Sequence, residues 1–271
     1  MRENTALSAW RRGEQTLGGW LSIGNAYTAE VMANMGFDWI CVDLQHGLLD
    51  YSDLKTMLPA ISTTGTTPIV RVPWNEPSII MKVLDAGAYG VIVPMVNNRS
   101  EAEAAVAACR YPPDGMRSFG PVRAALYGGT GYAAESNGQL ACIVMIETRD
   151  GIDNLEEIIT TPGVDGVYIG PADLALALGL PPLGDNNIPE HAEMVKHIYS
   201  SCRKHNLAVG IHTSSEAFFC KYLKQGFQFV TLGTDSGFMG QAANKALKSA
   251  REVLPTSGDT QATEEKEDTG Y

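Results

Sequence analysis

The chain has 271 residues, 44% of them hydrophobic, and a formal net charge of −11 from 20 basic and 31 acidic side chains. That size fits one large α/β domain with a substantial core. The acidity disfavours nucleic acid and anionic membranes as partners, and no apolar run reaches the roughly 18 residues of a membrane span. The opening MRENTALSAWRRGEQ lacks the apolar region of a signal peptide. Cys41, Cys109, Cys142, Cys202 and Cys220 form no C-x-x-C pair. No zinc or redox centre is expected from them, and scattered thiols fit a reducing cytoplasm.

Residues 1–18 read as an N-terminal arm with a lead-in helix, and 19–254 as a single domain. Strands are expected at 20–24, 39–44, 68–72, 90–96, 142–146, 166–169, 208–211 and 229–232. Helices are expected at 28–35, 52–62, from Pro77 to a stop at Gly87, then at 101–109, 154–161, 190–205, 215–225 and 240–253. The strands are continuous apolar runs, as when both faces are covered. Eight strands alternating with helices make a (β/α)8 TIM barrel, and an open doubly wound sheet is disfavoured by the missing G-x-G-x-x-G. One long Gly-, Arg- and Tyr-rich interruption, 111–139, reads as a functional loop. The polar stretch 255–271 reads as an acidic disordered tail.

Chemistry in such a barrel gathers at the C-terminal strand ends. Asn25, Asp43, Gln45, His46, Arg71, Asn97, Glu147, Asp173, His212 and Thr234-Asp235-Ser236 are placed there. Glu147 and Asp173 follow adjacent strands, which suits a hard divalent cation; alternatively Asp173 is a helix N-cap. Arg71, near the end of an interior strand, is either a structural ion pair or a fork for a carboxylate or enolate oxygen. Asp43, three residues before His46, would orient its imidazole; the alternative is a histidine held by one backbone bond. His191, His197 and His205 read as solvated. Every lysine falls in a helix or the tail, so a Schiff base is not expected.

The ordered set GFDWICVDLQHG, PIVRVPWNEP, LDAGAYGVIVPMV, RYPPDGMRSFGP, MIETRDGIDNLEEI and GVDGVYIGPADLALALG resembles the HpcH/HpaI aldolase family over roughly 18–253. The resemblance implies a class II pyruvate aldolase of the phosphoenolpyruvate/pyruvate-binding barrel superfamily. Such an enzyme cleaves a 4-hydroxy-2-keto acid, such as 4-hydroxy-2-oxoheptane-1,7-dioate or a 2-keto-3-deoxy sugar acid, to pyruvate and an aldehyde. It further implies Mg2+ or Mn2+, or else Co2+ or Zn2+, on Glu147 and Asp173, and pyruvate contacts from Arg71. The proton of the aldol hydroxyl falls to His46 with Asp43, and the pyruvate carboxylate to the Gly170-Pro171-Ala172-Asp173 backbone. Trp20 and His212 would line the aldehyde end, and Asp85 would reach a neighbouring subunit's site in a homohexamer, a dimer of trimers with the last helix exchanged. Met145 stands where many members have glutamine, and His212 where well-known members are apolar, which points to an altered acceptor pocket. Rival readings are an oxaloacetate decarboxylase, a malyl-CoA or citramalyl-CoA type lyase using Arg117 and Arg123 for phosphates, or a non-catalytic pyruvate- or metal-binding protein.

Overall fold

A computed structural model describes residues 1–254. Its elements run α1 (Thr5–Arg11), β1 (Thr16–Leu21), α2 (Ala26–Ala33), β2 (Trp39–Asp43), α3 (Tyr51–Ile61), β3 (Thr67–Arg71), α4 (Pro77–Asp85), β4 (Gly90–Val93), α5 (Arg99–Cys109), α6 (Val122–Gly128) and α7 (Tyr132–Gln139). They continue with β5 (Ala141–Ile146), α8 (Arg149–Asp153), α9 (Leu155–Ile159), β6 (Gly166–Ile169), α10 (Pro171–Ala177), α11 (Pro189–Lys204), β7 (Ala208–Ile211), α12 (Glu216–Lys224), β8 (Phe229–Thr234) and α13 (Asp235–Val253). The strands are all parallel and close in sequence order, β1 pairing with β8 through Thr16–Phe229 and Leu17–Val230. This is the (β/α)8 barrel. Its compact unit ends at Ser236, and Gly237 onward forms a second unit, described to Leu254 as the rest of α13. The acidic stretch 255–271 lies outside the described residues.

Three local expectations are corrected. The stretch 1–18 carries the expected lead-in helix, α1, which is packed into the core and does not stand apart as an arm. Asn4 caps α1 by accepting the Leu7 N–H, and Leu7 and Trp10 are buried in the core. Trp10 packs on Phe229 at 4.5 Å and lies edge-on to Trp39 at 6.5 Å, so α1 plugs the barrel at the strand starts. β1 therefore begins at Thr16. The long interruption holds two short helices, α6 and α7, around a buried Arg117. α10 follows β6 directly, with Gly170 at the N-cap and Pro171 in the first turn, where its missing N–H costs nothing.

The interior is built on the two-residue alternation of strands. Trp39 and Cys41 in β2, Ile69 in β3, Ile92 in β4, Ile143 and Met145 in β5, Tyr168 in β6 and Phe229 in β8 fill it. Rings this large need bare backbone opposite them. A Cβ on Gly18 would lie 2.0 Å from the Trp39 ring.

Candidate active site

The same alternation carries each strand's inward set to a polar residue at the mouth. Trp39 and Cys41 lead to Asp43, Ile69 to Arg71, and Ile143 and Met145 to Glu147. Asp43 and Arg71 are register partners across β2 and β3. Their pairing is bidentate: Arg71 Nε donates to Asp43 Oδ1 at 2.8 Å and Nη2 to Oδ2 at 2.6 Å. Trp20 Nε1 adds a bond to Oδ2 at 3.1 Å, and the guanidinium lies 5.0 Å from the Trp20 ring centre. Burial pushes the Asp43 carboxyl up, but the Arg71 guanidinium and the Trp20 N–H outweigh it and hold the acid below its usual range. Burial likewise works against the Arg71 cation, and Asp43 overrides it, so Arg71 stays charged. The ion-pair reading of Arg71 therefore holds: Asp43 fixes it, and Nη1 makes no hydrogen bond among the described residues.

Asp43 does not hold the His46 imidazole. Its Oδ1 accepts the backbone N–H of Gln45 at 3.1 Å and of His46 at 3.3 Å. The chain turns here, Gly47 N–H reaching Asp43 O at 3.2 Å, and this turn leaves the His46 side chain exposed. Among the described residues it makes no hydrogen bond. The expected His46–Asp43 ring contact is thus replaced by Asp43–Arg71, because a register partner on the next strand outcompetes a residue in a turn.

Glu147 is buried at 2% exposure, yet takes one protein hydrogen bond, from Met95 N–H to Oε1 at 2.9 Å. Met95 donates from a left-handed backbone, φ 57°, a conformation costly to a side-chain-bearing residue. Burial pushes the Glu147 carboxyl up to about 7; the Met95 N–H opposes this and the Asp173 carboxylate adds to it. Asp173 is exposed, and no side chain caps α10, so the N-cap alternative for Asp173 falls. Gly170 leaves room for the Glu147 carboxylate: a Cβ there would sit 2.2 Å from Glu147 Oε2 and 2.9 Å from Met145 Cε. Met145, where glutamine was the comparison, is a core residue. Two neighbouring carboxylates with open oxygens fit a hard divalent cation. No cluster of three or more His, Cys, Asp or Glu exists among the described residues, so Glu147 and Asp173 offer two carboxylate ligands and no third of those types.

Other strand-end residues serve the scaffold. Asn25 caps α2, Asn97 holds Thr148 and Met95 O, and Asp235 accepts from Ser22, Ile23 and Ser236. Trp20 is buried beneath Asp43. His212 stands edge-on to Trp20 at 4.9 Å, its Nδ1 3.2 Å from the Tyr168 hydroxyl. Within this chain Asp85 accepts from Arg117 Nη2 at 2.6 Å. Arg117 is buried, while Arg123 donates to Ala86 O and Ser62 Oγ. Neither is left for nucleotide phosphates.

Sequence reasoning missed Met95 and Tyr168, and its reading of His191 as solvated is overturned. His191 is fully buried, with Nε2 2.9 Å from Pro171 O, beside the turn that presents Asp173. Its signal was present, since it shares the α11 stripe of Val195, Ile198 and Cys202. His205 pairs with Glu156 at 2.8 Å, and His197 is exposed as expected. Every lysine among the described residues lies in a helix, as expected.

The structure is thus a closed parallel barrel with two neighbouring carboxylates and an anchored guanidinium at the C-terminal strand ends. The HpcH/HpaI aldolase/citrate lyase family model matches residues 16–242, and the chain belongs to that family. It is 41% identical over 248 residues to a hydroxypyruvate/pyruvate aldolase of Rhizorhabdus wittichii, covering 92% of this chain and 99% of that one. It is 40% identical over 231 residues to a 5-keto-4-deoxy-D-glucarate aldolase of Klebsiella pneumoniae, covering 84% and 90%. A solved HpcH/HpaI aldolase/citrate lyase family protein from Burkholderia cenocepacia superposes with TM-score 0.86 at 35% identity, covering 92% and 99%. The chain is an enzyme, a lyase of the aldolase kind, and the non-catalytic alternative is set aside. No helix among the described residues is long and apolar enough to cross a membrane.

Proposed function

We propose that the chain is a divalent-metal-dependent, class II aldolase that reversibly cleaves a 4-hydroxy-2-keto acid to pyruvate and an aldehyde. One observation carries this reading: Glu147 and Asp173 stand together with open carboxylate oxygens, beside an Arg71 whose position Asp43 fixes. Glu147 and Asp173 would hold a Mg2+ or Mn2+ ion, which would supply Lewis acidity to the bound 2-keto acid.

The chain's own groups do the rest. The first-turn amides of Ala172 and Asp173 have no intrahelical partner and receive the substrate carboxylate. His46 takes the proton of the C4 hydroxyl, directly or through one water. The C3–C4 bond breaks, the aldehyde leaves, and the electron pair passes into the pyruvate enolate. Arg71 Nη1 donates to the enolate oxygen as negative charge develops there. Protonation at C3 gives pyruvate. Arg71 reaches this oxygen without a conformational search, because two of its donors are already committed to Asp43.

The test is pyruvate release from a panel of 4-hydroxy-2-keto acids with Mg2+ or Mn2+, and again after EDTA. Release that needs the metal supports the reading and ranks the aldehydes. Release that survives EDTA from protein shown to be metal-free overturns the role of Glu147 and Asp173. Turnover of oxaloacetate alone overturns the aldolase assignment.

A further inference from the structure

The hydrogen bond that Glu147 takes from Met95 comes from a strained loop. β4 ends at Val93, Pro94 has no N–H, and Met95 is the first residue beyond the strand that can donate. Its N–H meets Glu147 Oε1 at 2.9 Å from a left-handed backbone, φ 57°. A side chain makes that conformation costly, so the loop persists there only if its surroundings hold it.

Asn97 does the holding. Its Nδ2 donates to Met95 O at 2.8 Å. Its Oδ1 accepts the hydroxyl of Thr148, the residue that follows Glu147. Thr148 Oγ1 accepts the Gly151 N–H at 2.9 Å, which leaves the hydroxyl proton for Asn97. Asn97 is itself fixed through its backbone: its N–H donates to Glu101 Oε2 at 2.7 Å, and its O accepts from Asn154 Nδ2 at 2.8 Å. One amide side chain thus ties the donor of Glu147, after β4, to the neighbour of Glu147, after β5. Neither tie caps a helix, since Asn98 caps α5 and Thr148 caps α8. Without that side chain Met95 O loses its partner and the backbone at 95 is free to relax to negative φ. The Met95 N–H then turns away, and a buried carboxylate is left with its direction unset.

We propose that Asn97 is a positioning residue for Glu147: it holds Met95 in the left-handed conformation that aims the Met95 N–H at the carboxylate, and so presets Glu147 for a divalent cation. This rests on the metal reading of Glu147 and Asp173 given above and deepens it.

Mn2+ titrated into the metal-free full chain, with the free ion followed by electron paramagnetic resonance, reads the effect without turnover. Asn97→Ala should weaken Mn2+ binding about tenfold, as when a group that orients a metal ligand is lost. In the Met95→Gly background the same change should cost less than about threefold, because glycine adopts positive φ unaided. Hydrogen exchange of the metal-free protein is the second readout. The Met95 amide should exchange slowly in the wild type and about tenfold faster in Asn97→Ala. Unchanged Mn2+ affinity in Asn97→Ala overturns the proposal. An equal loss in both backgrounds does so too, since a general scaffold role is indifferent to residue 95. Should Asn97→Ala fail to fold, the wild-type amide decides: slow exchange supports the proposal and free exchange overturns it. A wild type that binds no Mn2+ overturns the metal reading itself, a result distinct from affinity that Asn97→Ala leaves unmoved.

Discussion

Glu147 is a carboxylate whose surroundings favour its proton. Its folded pKa lies near 7 against an ordinary 4.5, so the native state binds the proton more tightly than the unfolded chain does. Metal-free stability is then fully present below about 4.5 and is lost as pH rises toward 7, by roughly 3 kcal/mol at most. Glu147→Gln should remove that loss. In urea denaturation with EDTA, the variant should be more stable than the wild type at pH 8 and equal to it at pH 4. A variant no more stable at pH 8 would mean that Glu147 carries no such burden. The acid itself was legible in the sequence, at the end of an apolar run. Its environment was not, because Met95 supplies the one donor from a backbone conformation that no residue pattern announces. Asp43 teaches the same lesson. Spacing of three suggested His46, whereas strand register chose Arg71.

The segment from α5 to β5 is where element-scale reading gave least. It looked like one irregular loop, since α6 and α7 are too short for periodicity to register. Their order comes from Arg117, whose guanidinium lies 4.5 Å from the Tyr111 ring centre and 5.7 Å from that of Tyr132. It donates to Asp85 and to the Tyr132 hydroxyl. Among the described residues its Nε and Nη1 have no hydrogen-bond partner, and Asp85 is the one acid paired with this buried cation. Asp85→Asn should cost about 3 kcal/mol in chemical denaturation. Asp85→Glu should recover part of that, and a cost below about 1 kcal/mol would show the pair to be incidental. By contrast α4 was legible at both ends, with Pro77 in its first turn and Gly87 just past its last at φ 104°. Both are backbone constraints written in residue identity itself.

Over the whole chain, the barrel followed from counting apolar runs, because closure of eight parallel strands leaves no other place for them. What counting missed is how its interior is filled. Trp10, Trp20 and Trp39 are all buried within it, and Trp74, the fourth tryptophan, is 55% exposed. The three buried indoles are not equivalent. Two sit at the strand starts, and Trp20 alone touches Asp43, Arg71 and His212. The protein therefore carries its own optical reporter. Buried indoles emit to the blue of solvated ones, and Trp20 has a charged pair and an imidazole in contact with its ring. Binding of pyruvate with Mg2+ should change the blue emission. The change should persist in Trp74→Phe and vanish in Trp20→Phe. Persistence in Trp20→Phe would place the responding indole elsewhere. A beam of ultraviolet light then follows, without a label, the filling of a site that lies one side chain above the tryptophan watching it.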